Sequence, residues 1–228
     1  MYPNGAEHTT VSDRLVVSMT ATQVALGVLI GAGVGAALVP MTRRSMNGQA
    51  AVGALLPVSA LLTAVSWGLL AWRFPAWPAL FVYGAFATLA VPLAIVDAIE
   101  YRLPTLLVRT AYAAAIGSSL IVIATEEDVG RLLRATLGMA GLLLVYLMVA
   151  LAFPNDLGAG DVRLAGVIGW VLAWDSYPTL LTGAVLSAVI GGVVGIAALV
   201  ARRTPRPGQV PAGPTMLLGS FVALLLAA

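Results

Sequence analysis

A chain of 228 residues that is 60% hydrophobic and only 10% charged cannot coat a water-soluble globule, whose residues are usually about one-quarter charged. Its mean hydropathy of +0.98 comes instead from long apolar blocks, each able to cross a bilayer as a helix with its backbone polar groups satisfied internally. The lack of cysteine excludes disulfides, thiolate catalysis and cysteine-built zinc sites, and a net charge of +2 spread over several loops, all as arginine, suits membrane topology better than nucleic-acid binding.

Residues 1–14 are polar and of mixed charge, without a basic stretch ahead of the first apolar block, so no cleavable signal peptide is expected. The only histidine, His8, lies here. A metal site would therefore have to be built from carboxylates, and neither metal nor cofactor is expected. The first span runs from about Leu15 to Met41. Its Gly31-Ala32-Gly33-Val34-Gly35 run predicts close helix packing and not a phosphate loop, since no Lys-Ser/Thr follows.

Further spans are predicted at about Ala51–Trp72, Ala79–Ala98, Thr105–Ala124, Leu132–Phe153, Leu164–Trp174, Thr179–Ala201 and Thr215–Ala228. The sixth is short for a crossing and is compatible with a re-entrant segment or with extension by its neighbours. The fold class is all-α: a polytopic transmembrane bundle of about seven or eight spans forming one integral membrane domain. Placing the loops that carry Arg43, Arg102, Arg163 and Arg202 in the cytoplasm satisfies the positive-inside rule. The acidic loop Glu126-Glu127-Asp128 and the N-terminus then lie outside. Trp72, Trp77, Trp170, Trp174 and Tyr177 are expected near the interfaces.

An ionised group close to hydrocarbon is expensive, and an acid at such a position invites a functional reading. Two of the ten acids stand out: Asp97, ending the run Val91-Pro-Leu-Ala-Ile-Val-Asp97, and Asp161, in Gly158-Ala-Gly160-Asp161-Val-Arg163. Two spans separate them, so both fall at the cytoplasmic edge and can meet. Gly158 and Gly160 let the backbone turn tightly there. Two close carboxyl groups in a partly dry pocket can divide the work of general acid and general base, which suits peptide hydrolysis without a metal. The plainer account is that each is an interfacial Asp at a helix end, and Asp156 is expected to be a solvated loop acid.

Three stretches resemble the bacterial type IV prepilin peptidases, a branch of the GxGD aspartic membrane peptidases. They are Ile95-Val-Asp97 with Arg102-Leu103-Pro104; Gly158-Ala-Gly160-Asp161-Val162-Arg163-Leu164 followed by Gly169-Trp170; and Val210-Pro211-Ala-Gly213-Pro214 leading into Leu217-Leu218-Gly219. The resemblance covers the chain from about residue 80 onward. It implies an endopeptidase that removes the short basic leader of a prepilin-like or pseudopilin protein at the cytoplasmic side of the inner membrane, with Asp97 and Asp161 catalytic. Gly158, Gly160, Arg163 and Pro104 would be supporting motif residues. Residues 1–78 would then be N-terminal spans with a short cytoplasmic loop, and 79–228 a peptidase-like core. Many relatives carry a four-cysteine loop between the first two spans, associated with N-methylation. The corresponding Thr42–Gly48 loop here has no cysteine, so methyl transfer is not expected. Arg163 stands where Lys is commoner, and Thr105 where many members have an acid.

Other groups near the pair have simpler readings. Arg109 is expected to snorkel to the interface, and Glu100 with Arg102 to form a solvated pair. Pro92 is a candidate kink just before Asp97. The competing function is a small proton- or cation-coupled transporter or channel using the same aspartates. Against it stand their shared edge position and the lack of a visible inverted repeat. A third reading is a structural subunit of a secretion assembly. The oligomeric state stays open, because small-residue stripes serve either kind of packing.

Overall fold

The computed structural model describes residues 11–45, 52–153, 157–200 and 211–227. His8, Asp156, Val210 and the arginines at 202, 203 and 206 lie outside these described residues, as does the second half of the first arginine-bearing loop. Nine helices are present among the described residues: α1 (Val11–Ala37), α2 (Val39–Ser45), α3 (Val52–Arg73), α4 (Trp77–Glu100), α5 (Thr105–Glu126), α6 (Val129–Ala152), α7 (Ala159–Asp175), α8 (Tyr177–Val200) and α9 (Ala212–Leu226). Five stretches, in α1–α2, α4, α5, α6 and α8, are long and apolar enough to cross a membrane. Together they make the chain an all-helical, multi-pass membrane protein. The eight predicted spans correspond to α1 and α3–α9, while α2 carries Arg43 and Arg44 in its last turn.

The short sixth span, predicted at Leu164–Trp174, is extended by its neighbours to Ala159–Asp175 and is not re-entrant. It is a continuous helix of 17 residues, roughly 25 Å at the usual rise, and it runs from one end of the bundle to the other. Its start lies beside Tyr112 of α5, whose hydroxyl donates to the Arg163 carbonyl at 2.9 Å. Its end lies beside Tyr83 near the start of α4, whose hydroxyl donates to Asp175 Oδ1 at 3.1 Å. Every residue from Leu164 to Trp174 is buried. Trp170 and Trp174, predicted to be interfacial, are core residues, and Trp170 Nε1 donates to the buried Ser119 Oγ at 3.1 Å. Trp72, Trp77 and Tyr177 do lie exposed. A helix sheathed by its neighbours needs no lipid-facing side, which is why its pattern is uniformly apolar and short.

Small residues set the helix spacing. Cβ atoms built on Gly31 and Gly35 of α1 would fall 2.8–3.0 Å from atoms of Thr63, Ala60 and Trp67 on α3, whereas one on Gly33 would meet open space. Two of the three predicted packing glycines thus face α3, one turn apart, in the spacing that lets membrane helices approach closely. In the same way, α6 and α7 cross with Gly138 against Gly169, backbone to backbone. The apolar side chains left outside, such as Leu29, Leu144, Met148, Leu181 and Ile196, form an outer wall suited to hydrocarbon.

Candidate active site

Helix α4 ends one turn after Asp97. The Asp97 carbonyl accepts the Tyr101 N–H at 2.9 Å, and Tyr101 closes the helix in the left-handed conformation at φ 51°. A residue bearing a Cβ costs on the order of 1 kcal/mol in that region. The chain then turns through Arg102 and Leu103, and Pro104 caps the start of α5 with extended backbone. Asp97 itself is only 4% exposed. Among the described residues, the one hydrogen-bond donor to its carboxylate is the Gly213 N–H at the start of α9, 2.9 Å from Oδ2.

Asp161 lies in the first turn of α7, where the helix dipole favours a negative side chain. Its Oδ2 accepts the Gly158 N–H at 3.1 Å, and its own N–H donates to the Gly158 carbonyl at 3.0 Å. This reciprocal pair fixes the turn that starts the helix. Gly160 is pressed against Leu103, so that a Cβ there would lie 2.9 Å from the Leu103 Cβ. The Leu-Pro stretch after Asp97 and the glycine stretch before Asp161 therefore touch directly.

The contact between Leu103 and Gly160 brings the stretch after Asp97 and the stretch that opens α7 with Asp161 to the same end of the bundle. Arg163 projects its exposed side chain outward, and Arg109 is also exposed. Glu100 and Arg102 form the expected ion pair at 2.7 Å. Helix α4 continues unbroken through the buried Pro92. An apolar groove of about 270 Å³ runs between α3, α4 and α9, from Ala87 to Ala98 along α4 and past Pro214 on α9.

Sequence reasoning missed the contacts that Gly213 and Tyr112 make. The Pro211–Pro214 motif pointed to the region of Gly213, but nothing in it names Asp97 as its partner. Tyr112 carries no local signal, since its hydroxyl bonds a carbonyl of a distant segment.

No protein-family model matches the chain, and no solved structure does. Curated proteins do. The prepilin leader peptidase/N-methyltransferase of Pseudomonas aeruginosa is 28% identical over 184 residues, covering 78% of this chain and 60% of that protein. The protein of the same name from Stutzerimonas stutzeri is 27% identical over the same shares, and that from Aeromonas salmonicida is 29% identical over 91 residues, 38% of this chain. The chain spans about 60% of the length of the first two. The chain thus resembles type IV prepilin peptidases in its motifs, and the curated proteins it is similar to are named prepilin leader peptidases.

Proposed function

We propose that this chain is an aspartic endopeptidase of the inner membrane that cleaves the short leader of prepilin-like or pseudopilin proteins at the cytoplasmic edge. The observation that carries the reading is the packing of Gly160, next to Asp161, against Leu103, in the turn after Asp97, at one end of a bundle whose sequence relatives are named prepilin leader peptidases.

In this mechanism the two carboxyl groups share one proton. The ionised one takes a proton from a water molecule, whose oxygen adds to the scissile carbonyl carbon. The protonated one gives its proton to the carbonyl oxygen, so no free oxyanion builds up. Collapse of the tetrahedral intermediate breaks the C–N bond, and the leaving amine takes up a proton from the dyad. Gly158 and Gly160 shape the turn that presents Asp161, Pro104 starts the helix after Asp97, and Arg163 is a cytoplasmic-edge cation. With no cysteine in the chain, methyl transfer is not part of the proposal.

The test is co-expression with a tagged prepilin-like substrate in cells lacking any other such peptidase. Asp97→Asn and Asp161→Asn should each abolish the size shift at unchanged membrane levels. Processing by either variant would remove the dyad. A proton flux in liposomes that disappears with Asp97→Asn would favour the transporter reading instead.

A further inference from the structure

We propose that Gly213 is a positioning residue for Asp97, and that the sequence Pro211-Ala212-Gly213-Pro214 starts α9 in a form that reserves one backbone N–H for the Asp97 carboxylate. The inference rests on the reading of Asp97 as one of the two catalytic acids.

The first N–H groups of any helix have no intrahelical partner. In α9 the cap is Pro211 and the third helical residue is Pro214, and proline carries no N–H. Of these four positions only Ala212 and Gly213 keep a donor. The Gly213 donor points at Asp97 Oδ2, 2.9 Å away, in a buried contact across 116 residues of sequence. The positive end of the α9 dipole faces the same carboxylate.

The identity of residue 213 follows from the same geometry. A Cβ built there would lie 2.7 Å from Asp97 Oδ2 and 3.1 Å from its Cγ. The carboxylate occupies the space a side chain would take, so glycine is needed for close approach and not for an unusual φ. The other end of α9 is also held, by the Arg73 guanidinium, whose Nε donates to the Leu225 carbonyl at 3.2 Å. The helix is thereby fixed along its axis, and its first turn cannot slide away from Asp97 without breaking that contact.

Two variants separate the hydrogen bond from the packing. Gly213→Ala adds the Cβ. Replacement of Gly213 by glycolic acid, through nonsense suppression in cell-free synthesis into liposomes, turns its N–H into an ester oxygen and adds no bulk. Cleavage of a tagged prepilin-like substrate is measured for both, with Asp97→Asn as the inactive reference. A hydrogen bond to a charged group predicts that the ester lowers kcat by on the order of tenfold or more with KM unchanged. Gly213→Ala should lower kcat at least as far while reaching normal membrane levels. Gly219→Ala serves as the comparison for simple packing damage, since its Cβ would strike the backbone of Ser187 on α8. It should reduce folded protein while leaving kcat per folded molecule unchanged.

An ester variant with normal kcat, beside an inactive Asp97→Asn, would overturn this inference and leave the peptidase reading standing. So would a loss confined to Gly213→Ala, which would mark a steric role only. An unsubstituted chain that fails to cleave, or an Asp97→Asn variant that cleaves fully, would overturn the peptidase reading and this inference with it.

Discussion

The two acids are each held by a backbone N–H from a glycine, Asp161 by Gly158 within its own turn and Asp97 by Gly213 from another helix. Only the first arrangement is local, and of it the sequence showed the glycine turn but not the hydrogen bond. Asp97 and Asp161 could be singled out because acids are scarce here and lie next to apolar runs, so their cost in hydrocarbon marked them. The partner that orients Asp97 comes from a segment 116 residues away, and no periodicity encodes such a meeting. Gly160 offers a test at this scale. Its missing side chain is replaced by Leu103, so Gly160→Ala should push apart the two stretches that bear the acids. Processing should fall by about tenfold or more, given how sharply misplacement of reacting groups lowers rates. The double variant Gly160→Ala with Leu103→Ala should regain much of it. If the double variant is no better than the single one, the Leu103 contact is not what makes glycine necessary.

Helix α7 carries Asp161 at one end and must be anchored at the other. The anchor is Arg134 of α6, whose guanidinium donates to the carbonyls of Ala173 (2.7 Å), Trp174 (2.7 Å) and Asp175 (2.9 Å). These are carbonyls left without partners at a helix C-terminus, where a cation also complements the dipole. Tyr83 and Thr179 hold the Asp175 carboxylate beside them. The sequence could not reveal this, because an arginine inside a predicted span reads first as a snorkelling side chain. For the same reason the buried Trp170 was read as interfacial: composition does not tell a helix wrapped in protein from one wrapped in lipid. Arg134→Ala should destabilise the bundle by roughly 2–3 kcal/mol, the scale of lost charge-assisted hydrogen bonds, read as a lower unfolding midpoint in a detergent titration. Arg134→Lys should restore only part, since an ammonium supplies the charge without the planar fork. An unchanged midpoint for Arg134→Ala would show that α7 needs no cap.

At the scale of the molecule, side-chain contacts sort the helix ends into two groups. Asp97, Leu103, Asp161 and Gly213 meet at one end, whereas Arg73, Tyr83, Arg134 and Asp175 gather at the ends of α3, α4, α6, α7 and α9 that lie away from it. The alternation of charged loops in the sequence predicted this division, because each crossing reverses the side and arginine-bearing loops stay in the cytoplasm. The end that holds the aspartates is also the end of Arg102 and Arg163, and is therefore expected to be cytoplasmic. The lack of native cysteine makes a direct test simple, since any introduced thiol is the only one. Arg102→Cys, at the α4–α5 turn, should resist a membrane-impermeant maleimide in intact spheroplasts and react in inverted vesicles. Val129→Cys, at the exposed start of α6, should do the reverse. The opposite labelling pattern would put the aspartates on the outer face, where a peptidase acting before export would never meet the leader of its substrate.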